Sequence, residues 1–156
     1  MATINGKFGY LPYLFQVLTL GSGVYPSVML AQWALESGYG TSNLAKNNNN
    51  FFGIKCYGSN CKNGWKNYNS KLSGYYGYIQ LLTKSDRYKI ALKADTPRNQ
   101  IKELVNAGYA GNTPGYENNI MSIINSNDLQ KFDKRTELLI LLFPITISLY
   151  LWIKRK

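Results

Sequence analysis

Glu36 is the residue of this 156-residue chain whose type and position best suit it to chemistry. It is the only acidic residue among the first 85, and it lies in an apolar stretch predicted to form the last turn of a helix. The partial negative charge of a helix C-terminus and the loss of water near apolar neighbours both raise the pKa of a carboxyl group. A carboxyl group that stays protonated near neutral pH is what a general acid for glycosidic cleavage requires. The alternative is a solvated surface glutamate near a helix end.

Other kinds of catalytic and metal site are excluded by composition. The chain has no histidine, which removes Ser-His-Asp and Cys-His triads, and its two cysteines cannot complete a tetrahedral zinc site. We therefore expect neither a metal nor a cofactor. Cys56 and Cys61 flank four turn-forming residues, so either a hairpin disulfide or two free thiols fit the sequence.

The chain is strongly basic, with 18 Lys and Arg residues against 8 Asp and Glu residues and a net charge of +10. Such a charge favours a polyanionic partner, which leaves nucleic acid, anionic lipid and acidic cell-wall polymers as candidates. Four of the lysines cluster along the middle of the chain, where they either attract carboxylates or form a solvated face: Lys55, Lys62, Lys66 and Lys71. Aromatic residues make up 14% of the chain, enough to stack on a flat ligand such as a sugar or a base.

Capping and turn residues divide the first 136 residues into short helices. Helices are predicted to begin at Pro26-Ser27, Ser70, Ser85, Thr96-Pro97 and Thr113-Pro114. Residues 8–20 are predicted to form an earlier helix, with a signal peptide as the alternative. Residues 51–68 are rich in Gly, Asn and aromatics and predict short strands and turns, whereas residues 47–50 predict a plain loop. The pattern indicates a mostly helical α+β domain with a small β-lobe inserted after the second helix.

A separate apolar segment follows this domain. Residues 138–153 carry no charge, and basic residues lie on both sides of them. A helix of this length covers roughly 24 Å, and Tyr150 and Trp152 lie near its end, where interfacial aromatics are expected. We therefore divide the chain into a domain at residues 1–136 and a C-terminal transmembrane anchor with a basic tail at residues 137–156. The alternative is a buried core helix.

Three blocks of sequence, in order, resemble glycoside hydrolase family 73, the flagellar- and autolysin-type endo-β-N-acetylglucosaminidases of peptidoglycan. The blocks are Pro26-Ser27-Val28-Met29-Leu30-Ala31-Gln32, Leu35-Glu36-Ser37-Gly38-Tyr39-Gly40-Thr41-Ser42 and Asn49-Asn50-Phe51-Phe52-Gly53-Ile54-Lys55. Shorter matches continue to Tyr116, so the resemblance covers about residues 10–133. It implies a lysozyme-like fold and hydrolysis of the β-1,4 bond on the reducing side of N-acetylglucosamine.

The resemblance also implies roles for individual residues. Glu36 matches the family's catalytic acid, and Tyr116 matches a tyrosine near the reacting sugar. The predicted substrate-binding residues are those of the first and third blocks together with three tyrosines that either line the groove or belong to the core: Gln32, Asn50, Phe52, Gly53, Ile54, Tyr68, Tyr88 and Tyr109.

The sequence departs from the family in lacking an obvious second carboxylate. Residues 69–74 contain no acid where some members carry a glutamate, and Gly111-Asn112 stands where Thr-Asp is common. We therefore expect the 2-acetamido oxygen of the substrate to attack the anomeric carbon, with Tyr116 orienting that group. The same absence motivates the alternative of a non-catalytic wall-binding module with the same fold.

The expected partners follow from this interpretation: peptidoglycan glycan strands, and a membrane through the C-terminal helix. The catalytic domain is then expected to face the periplasm or cell wall, or to belong to a phage-encoded lysis enzyme that reaches the wall. Two further alternatives are a membrane-disrupting protein that acts through its C-terminal segment and a basic nucleic-acid binder. Nucleic acid is not expected, because the sequence has no helix-turn-helix, zinc or RNA-recognition signature.

Overall fold

The computed structural model describes residues 6–56, 61–111 and 113–134. Within these ranges the chain is mostly helical, with a single two-stranded hairpin, so the mostly helical α+β prediction is confirmed there. The α-helices are α1 (Leu11–Leu18), α2 (Pro26–Ser37), α3 (Asn43–Asn48), α4 (Lys71–Lys84), α5 (Pro97–Asn106) and α6 (Tyr116–Ser126). Short 3-10 helices span Asp86–Tyr88, Ala91–Lys93 and Leu129–Asp133.

Helix α2 is the centre of the domain. Pro26 begins it with a φ angle already suited to a helix, and Gly38 ends it in the left-handed conformation. Every residue from Pro26 to Ala34 is buried, because α1, α5, α6 and the last 3-10 helix all pack around it. Its last turn emerges from this packing, which leaves Leu35 and Glu36 exposed. The helix therefore presents the carboxylate at an edge of the core.

Side-chain caps fix the starts of the later helices. Ser70 accepts a hydrogen bond from the backbone N–H of Ser73 at the start of α4, and Thr96 does the same for α5, as the sequence predicts. Helix α6 begins at Tyr116 rather than at the predicted Thr113. The Thr113 hydroxyl instead donates to the carbonyl of Ala110, and Gly115 takes the left-handed conformation just before the helix.

The β-lobe is the antiparallel pair β1 (Cys61–Lys62) and β2 (Trp65–Lys66). Lys55 forms a further bridge to Trp65 in β2, and a disulfide joins Cys56 to Cys61. The asparagine-rich residues 47–50 are not the predicted plain loop. Residues 47 and 48 end α3, Asn49 takes the left-handed conformation after it, and Asn50 is buried.

Helix α4 packs very closely on this asparagine-rich turn. A methyl group added to Gly74 would come within 1.9 Å of the carbonyl oxygen of Asn49. Only glycine permits this approach, so Gly74 sets the distance between α4 and the segment that leads into the β-lobe.

The sequence predicts a helix near each end of the chain. The helix predicted near residues 8–20 is α1, which packs against α2 and the last 3-10 helix. The predicted C-terminal anchor lies outside the described residues, and so does the boundary proposed after residue 136. Among the helices that the structure describes, none combines the length and the apolar character needed to cross a bilayer.

Candidate active site

A cavity of about 670 Å³, hereafter the cleft, lies beside the exposed end of α2. Leu35 and Glu36 of α2 form one part of its wall, and residues 52–55 form another. Leu81, Arg87, Tyr88 and residues 108–111 contribute from the region of α4 and α5, and Tyr116 and Asn119 contribute from α6. The cleft thus joins parts of the chain that are separated by up to about 80 positions.

Glu36 has one oxygen engaged and one open. Its Oε1 accepts a hydrogen bond of 2.9 Å from the Tyr116 hydroxyl. Its Oε2 faces Gly53, where an added methyl group would come within 3.5 Å. Burial among the surrounding residues raises the pKa of Glu36, and the hydrogen bond from Tyr116 opposes this effect in part. The side chain remains exposed to the cleft, so its proton is accessible to a ligand there.

Tyr116 connects Glu36 to the core. It is buried, and burial is the main reason that its pKa lies far above the ordinary value, so its hydroxyl stays protonated. The same hydroxyl accepts a hydrogen bond of 3.0 Å from Nε2 of Gln32. Gln32 in turn accepts a short hydrogen bond at Oε1 from the hydroxyl of Tyr78.

The segment opposite Glu36 is shaped by Asn50. Its Nδ2 donates to the carbonyl oxygens of Ile54 at 2.9 Å and Lys66 at 3.0 Å, and its Oδ1 accepts from the N–H of Ile54 at 3.0 Å. These bonds fold residues 50–54 into a tight turn that presents Gly53 to the cleft. The ring of Phe52 stacks on Tyr78 with 4.2 Å between centroids, which fixes the turn to α4.

The residues predicted from the resemblance fall into two groups. Glu36, Phe52, Gly53, Ile54, Tyr88, Tyr109 and Tyr116 line the cleft. Gln32 and Asn50 are only 0% and 1% exposed, and their polar atoms bind protein partners instead of facing the cleft. Tyr68 lies away from the lining, where its ring packs close to Gly77 of α4.

Arg87 and Asn119 line the cleft but were not among the predicted binding residues. Arg87 sits with its guanidinium 5.7 Å from the ring centre of Tyr88, its neighbour in sequence. Asn119 follows Tyr116 by three positions on α6, so helical spacing from the tyrosine is the signal that would have found it. Of the predicted lysine cluster, Lys55 lines the cleft, whereas Lys66 and Lys71 do not.

Among the residues that the structure describes, Glu36 is the only acidic one in the lining of this cleft. Other carboxylates of the described chain have partners elsewhere: Asp86 pairs with Lys89, Glu117 with Arg98, Asp128 with Lys131, Asp95 with Asn99, Glu103 with Asn106 and Asp133 with Ser27. The described residues also contain no group of three His, Cys, Asp or Glu side chains arranged to hold a metal ion.

Comparisons with known proteins identify the family of the chain. The sequence profile of a family described as mannosyl-glycoprotein endo-beta-N-acetylglucosaminidase matches residues 14–129. Protein Bax of Escherichia coli (strain K12) is 29% identical over 119 residues, which cover 67% of this chain and 43% of that protein. The peptidoglycan hydrolase FlgJ of Salmonella typhimurium is 32% identical over 126 residues, which cover 66% of this chain and 40% of that protein. The chain thus spans about two fifths of the length of these relatives.

Solved structures show the same fold. The catalytic domain of the autolysin Auto from Listeria monocytogenes superposes with a TM-score of 0.69 at 26% identity, covering 85% of this chain and 89% of that one. A truncated glycoside hydrolase domain of Salmonella typhimurium FlgJ gives 0.62 at 28% identity, covering 78% and 95%. Because the family profile matches well over half of the sequence, the chain belongs to the glucosaminidase family of glycoside hydrolases.

Proposed function

We propose that this protein cleaves β-1,4 glycosidic bonds in the glycan strands of peptidoglycan as an endo-β-N-acetylglucosaminidase, with Glu36 as general acid. The observation that carries the proposal is the carboxyl group of Glu36, whose pKa is raised by burial while one oxygen stays open to the cleft. Further support comes from FlgJ, a relative named as a peptidoglycan hydrolase. The cleft is also large enough for a sugar unit and has tyrosine rings in its lining.

In the first step, Glu36 gives its proton to the glycosidic oxygen as the bond between that oxygen and the anomeric carbon breaks. The departing sugar keeps the bonding electron pair and the proton. Glu36 becomes a carboxylate, which the hydroxyl of Tyr116 stabilises by donation to Oε1. A water molecule later adds to the anomeric carbon and returns a proton to Glu36.

The described residues contribute no second carboxylate to the cleft lining, which favours substrate assistance. We propose that the 2-acetamido oxygen of the substrate forms a temporary bond to the anomeric carbon, which water then replaces. Two displacements at one carbon give a product with retained configuration. Proton NMR of the first product formed from glycan strands measures this directly, and inversion would contradict substrate assistance.

The single-carboxylate cleft is also compatible with a wall-binding module that does not turn over substrate. Replacing Glu36 with Gln separates the two functions. An enzyme loses cleavage of purified sacculi, seen by mass spectrometry of the released muropeptides, yet still co-sediments with them. The matched control is Glu103→Gln on α5, outside the cleft lining, which is expected to retain activity. Cleavage by Glu36→Gln at the original rate would refute the proposed role of Glu36.

We also propose that residues 137–156 tether the domain to a membrane, with the domain facing the periplasm or cell wall. The support is the uncharged run at residues 138–153 between basic flanks. The test compares the full chain with a chain lacking residues 137–156 in two assays, flotation with anionic phospholipid vesicles and hydrolysis of sacculi. A tether predicts loss of flotation with hydrolysis retained, whereas flotation of both chains would contradict it.

A further inference from the structure

A line of hydrogen bonds runs from α4 through α2 and α6 to Glu36. The Tyr78 hydroxyl donates to Oε1 of Gln32, Nε2 of Gln32 donates to the Tyr116 hydroxyl, and Tyr116 donates to Oε1 of Glu36. Gln32 and Tyr78 are each 0% exposed, and Tyr116 is 4% exposed. Water therefore does not replace these partners, and the direction of each bond depends on its neighbours.

The direction of the line is set by what each group can do. A protonated phenol at Tyr78 donates to Gln32, which keeps the amide oxygen of Gln32 on the α4 side and its NH₂ group on the Tyr116 side. An NH₂ group cannot accept a hydrogen bond. The hydroxyl of Tyr116 must therefore accept from Gln32 and direct its own proton to Oε1 of Glu36.

The same hydrogen bonds determine which oxygen of Glu36 carries the acid proton. If the proton of Glu36 were on Oε1, it would meet the Tyr116 hydroxyl, whose proton also points to Oε1 and has no other acceptor in this line. The proton is therefore favoured on Oε2, the oxygen on the Gly53 side of the cleft. When Glu36 loses its proton, the donor on Oε1 is already in place.

We propose that Gln32, oriented by Tyr78, is a positioning residue that holds Tyr116 as a donor to Oε1 of Glu36 and so keeps the transferable proton on Oε2. This inference rests on the proposed function of Glu36 as general acid. It gives Gln32 a role different from the substrate contact that the resemblance implied, and it explains why a fully buried glutamine lies one turn before the acid.

The titratable groups around Glu36 come from several elements, and each is retained when Gln32 alone is replaced. They are Tyr116 of α6, Tyr109 after α5, and Tyr88, Lys55 and Arg87 in the cleft lining. Two other variants each remove one tyrosine hydroxyl, Tyr78→Phe and Tyr116→Phe, but both hydroxyls are neutral at the pH of the assay.

The test replaces Gln32 with Met, which has a similar length but cannot donate to Tyr116. The Tyr116 hydroxyl can then rotate and accept the proton of Glu36 at Oε1. With soluble peptidoglycan glycan strands as substrate, we expect kcat to fall about tenfold, the rate equivalent of one hydrogen bond, with KM unchanged. The alkaline limb of the kcat/KM profile is expected to move to higher pH, because the Glu36 carboxylate loses a fixed donor.

Tyr78→Phe provides a second, milder variant in which a single oxygen is removed. The amide of Gln32 is then free to turn its oxygen toward Tyr116, so we expect the same changes in kcat and pH profile in smaller measure. Gln100→Met is the matched control, because Gln100 is also 0% exposed but binds Tyr25, Gly23 and Ala91 away from the cleft. It is expected to lower Tm without moving the pH profile.

A double-variant cycle identifies the route of the effect. In a Tyr116→Phe background, Gln32→Met should cause no further loss of kcat, because the hydroxyl through which Gln32 acts on Glu36 is already absent. Additive losses, or a pH profile for Gln32→Met equal to that of the unmodified protein, would overturn the positioning role. Activity retained by Glu36→Gln would overturn the proposed function instead, so the two failures are distinguishable.

Discussion

Helix α2 has a carboxylate close to each end, and the surroundings of these two groups differ. Near its N-terminus, Asp133 accepts hydrogen bonds from the backbone N–H of Ser27 at 2.8 Å and from the Ser27 hydroxyl at 2.6 Å, one on each oxygen. Near its C-terminus, Glu36 accepts one bond from Tyr116 and leaves Oε2 open. Burial raises the pKa of both groups, and hydrogen bonds to each oppose that effect.

The two ends of helix α2 treat a carboxyl group in opposite ways. The N–H groups and positive partial charge at a helix N-terminus stabilise an anion, so Asp133 connects the last 3-10 helix to α2 as a structural cap. The helix C-terminus offers carbonyl groups and negative partial charge, which do not stabilise the carboxylate of Glu36. The carboxyl group of Asp133 has both oxygens hydrogen-bonded and serves a structural role. The carboxyl group of Glu36 has one oxygen open to the cleft, so it can transfer a proton.

The largest effect should come from neutralising each carboxylate in turn. Glu36→Gln is expected to reduce sacculus hydrolysis by about 10²–10⁴-fold, the usual contribution of a general acid. Asp133→Asn should leave hydrolysis within about twofold, because Asn retains an acceptor for the N–H of Ser27. Turbidity of sacculus suspensions measures both rates, and equal losses in the two variants would remove the distinction between the ends of α2.

Covering Oε2 of Glu36 should leave this carboxyl group without an accessible oxygen, as is the case for Asp133. Gly53 has a φ of +61°, so Gly53→Ala strains the turn, and the added methyl group would lie in van der Waals contact with Oε2 at 3.5 Å. We expect kcat/KM to fall by roughly tenfold or more, while Glu36 keeps its bond to Tyr116. Gly64→Ala is the control, because Gly64 also has a positive φ but nothing lies near its added methyl group. Unchanged kcat/KM in Gly53→Ala would show that the space around Oε2 is not limiting.

Removing the cap should affect stability rather than catalysis. Asp133→Ala leaves the N–H and hydroxyl of the buried Ser27 without their partner, so the free energy of unfolding is expected to fall by about 1 kcal/mol. Chemical denaturation at neutral pH measures the change. Hydrolysis per folded molecule should stay the same, and a loss of kcat would mean that the two ends of α2 are coupled.

The smallest effect is the dependence of stability on pH. Because the folded-state pKa of each carboxylate is raised, its contribution to stability is complete below the unfolded pKa and declines as pH rises through the folded pKa. Glu36→Gln and Asp133→Asn should each flatten part of this decline in a series of Tm values between pH 4 and neutrality, roughly the range over which such carboxyls titrate. A steeper decline in either variant would contradict the raised pKa.

Much of the helical framework was predictable from local sequence. Ser70 and Thr96 act as the predicted caps, and Pro26 begins α2 as expected. These signals work because capping and turn preferences involve neighbours within a few residues. The start of α6 differed, since Thr113 satisfies the Ala110 carbonyl in the preceding turn, a choice that local preference alone does not decide.

The roles of buried polar residues were less predictable. Gln32 and Asn50 stand in blocks that suggested substrate contact, yet their partners are Tyr78 and Tyr116 for one and Ile54 and Lys66 for the other. Apart from Ile54, these partners lie 16 to 84 positions away, so no local pattern reveals them. Tyr68, suggested for the groove or the core, packs beside Gly77 of α4, a contact that depends on how α4 folds back on the β-lobe.

Residue types and short spacings in the sequence were enough to predict a mostly helical domain, to place Glu36 in the last turn of an apolar helix, and to exclude histidine chemistry. The packing of distant segments was needed to establish which oxygen of Glu36 is open and that Gln32 faces the core. It was also needed to show that the described residues place no second carboxylate in the cleft lining. Hydrogen-bond directions and cleft walls depend on side chains that packing brings together from distant positions. The spacing of these side chains along the sequence does not show that they meet.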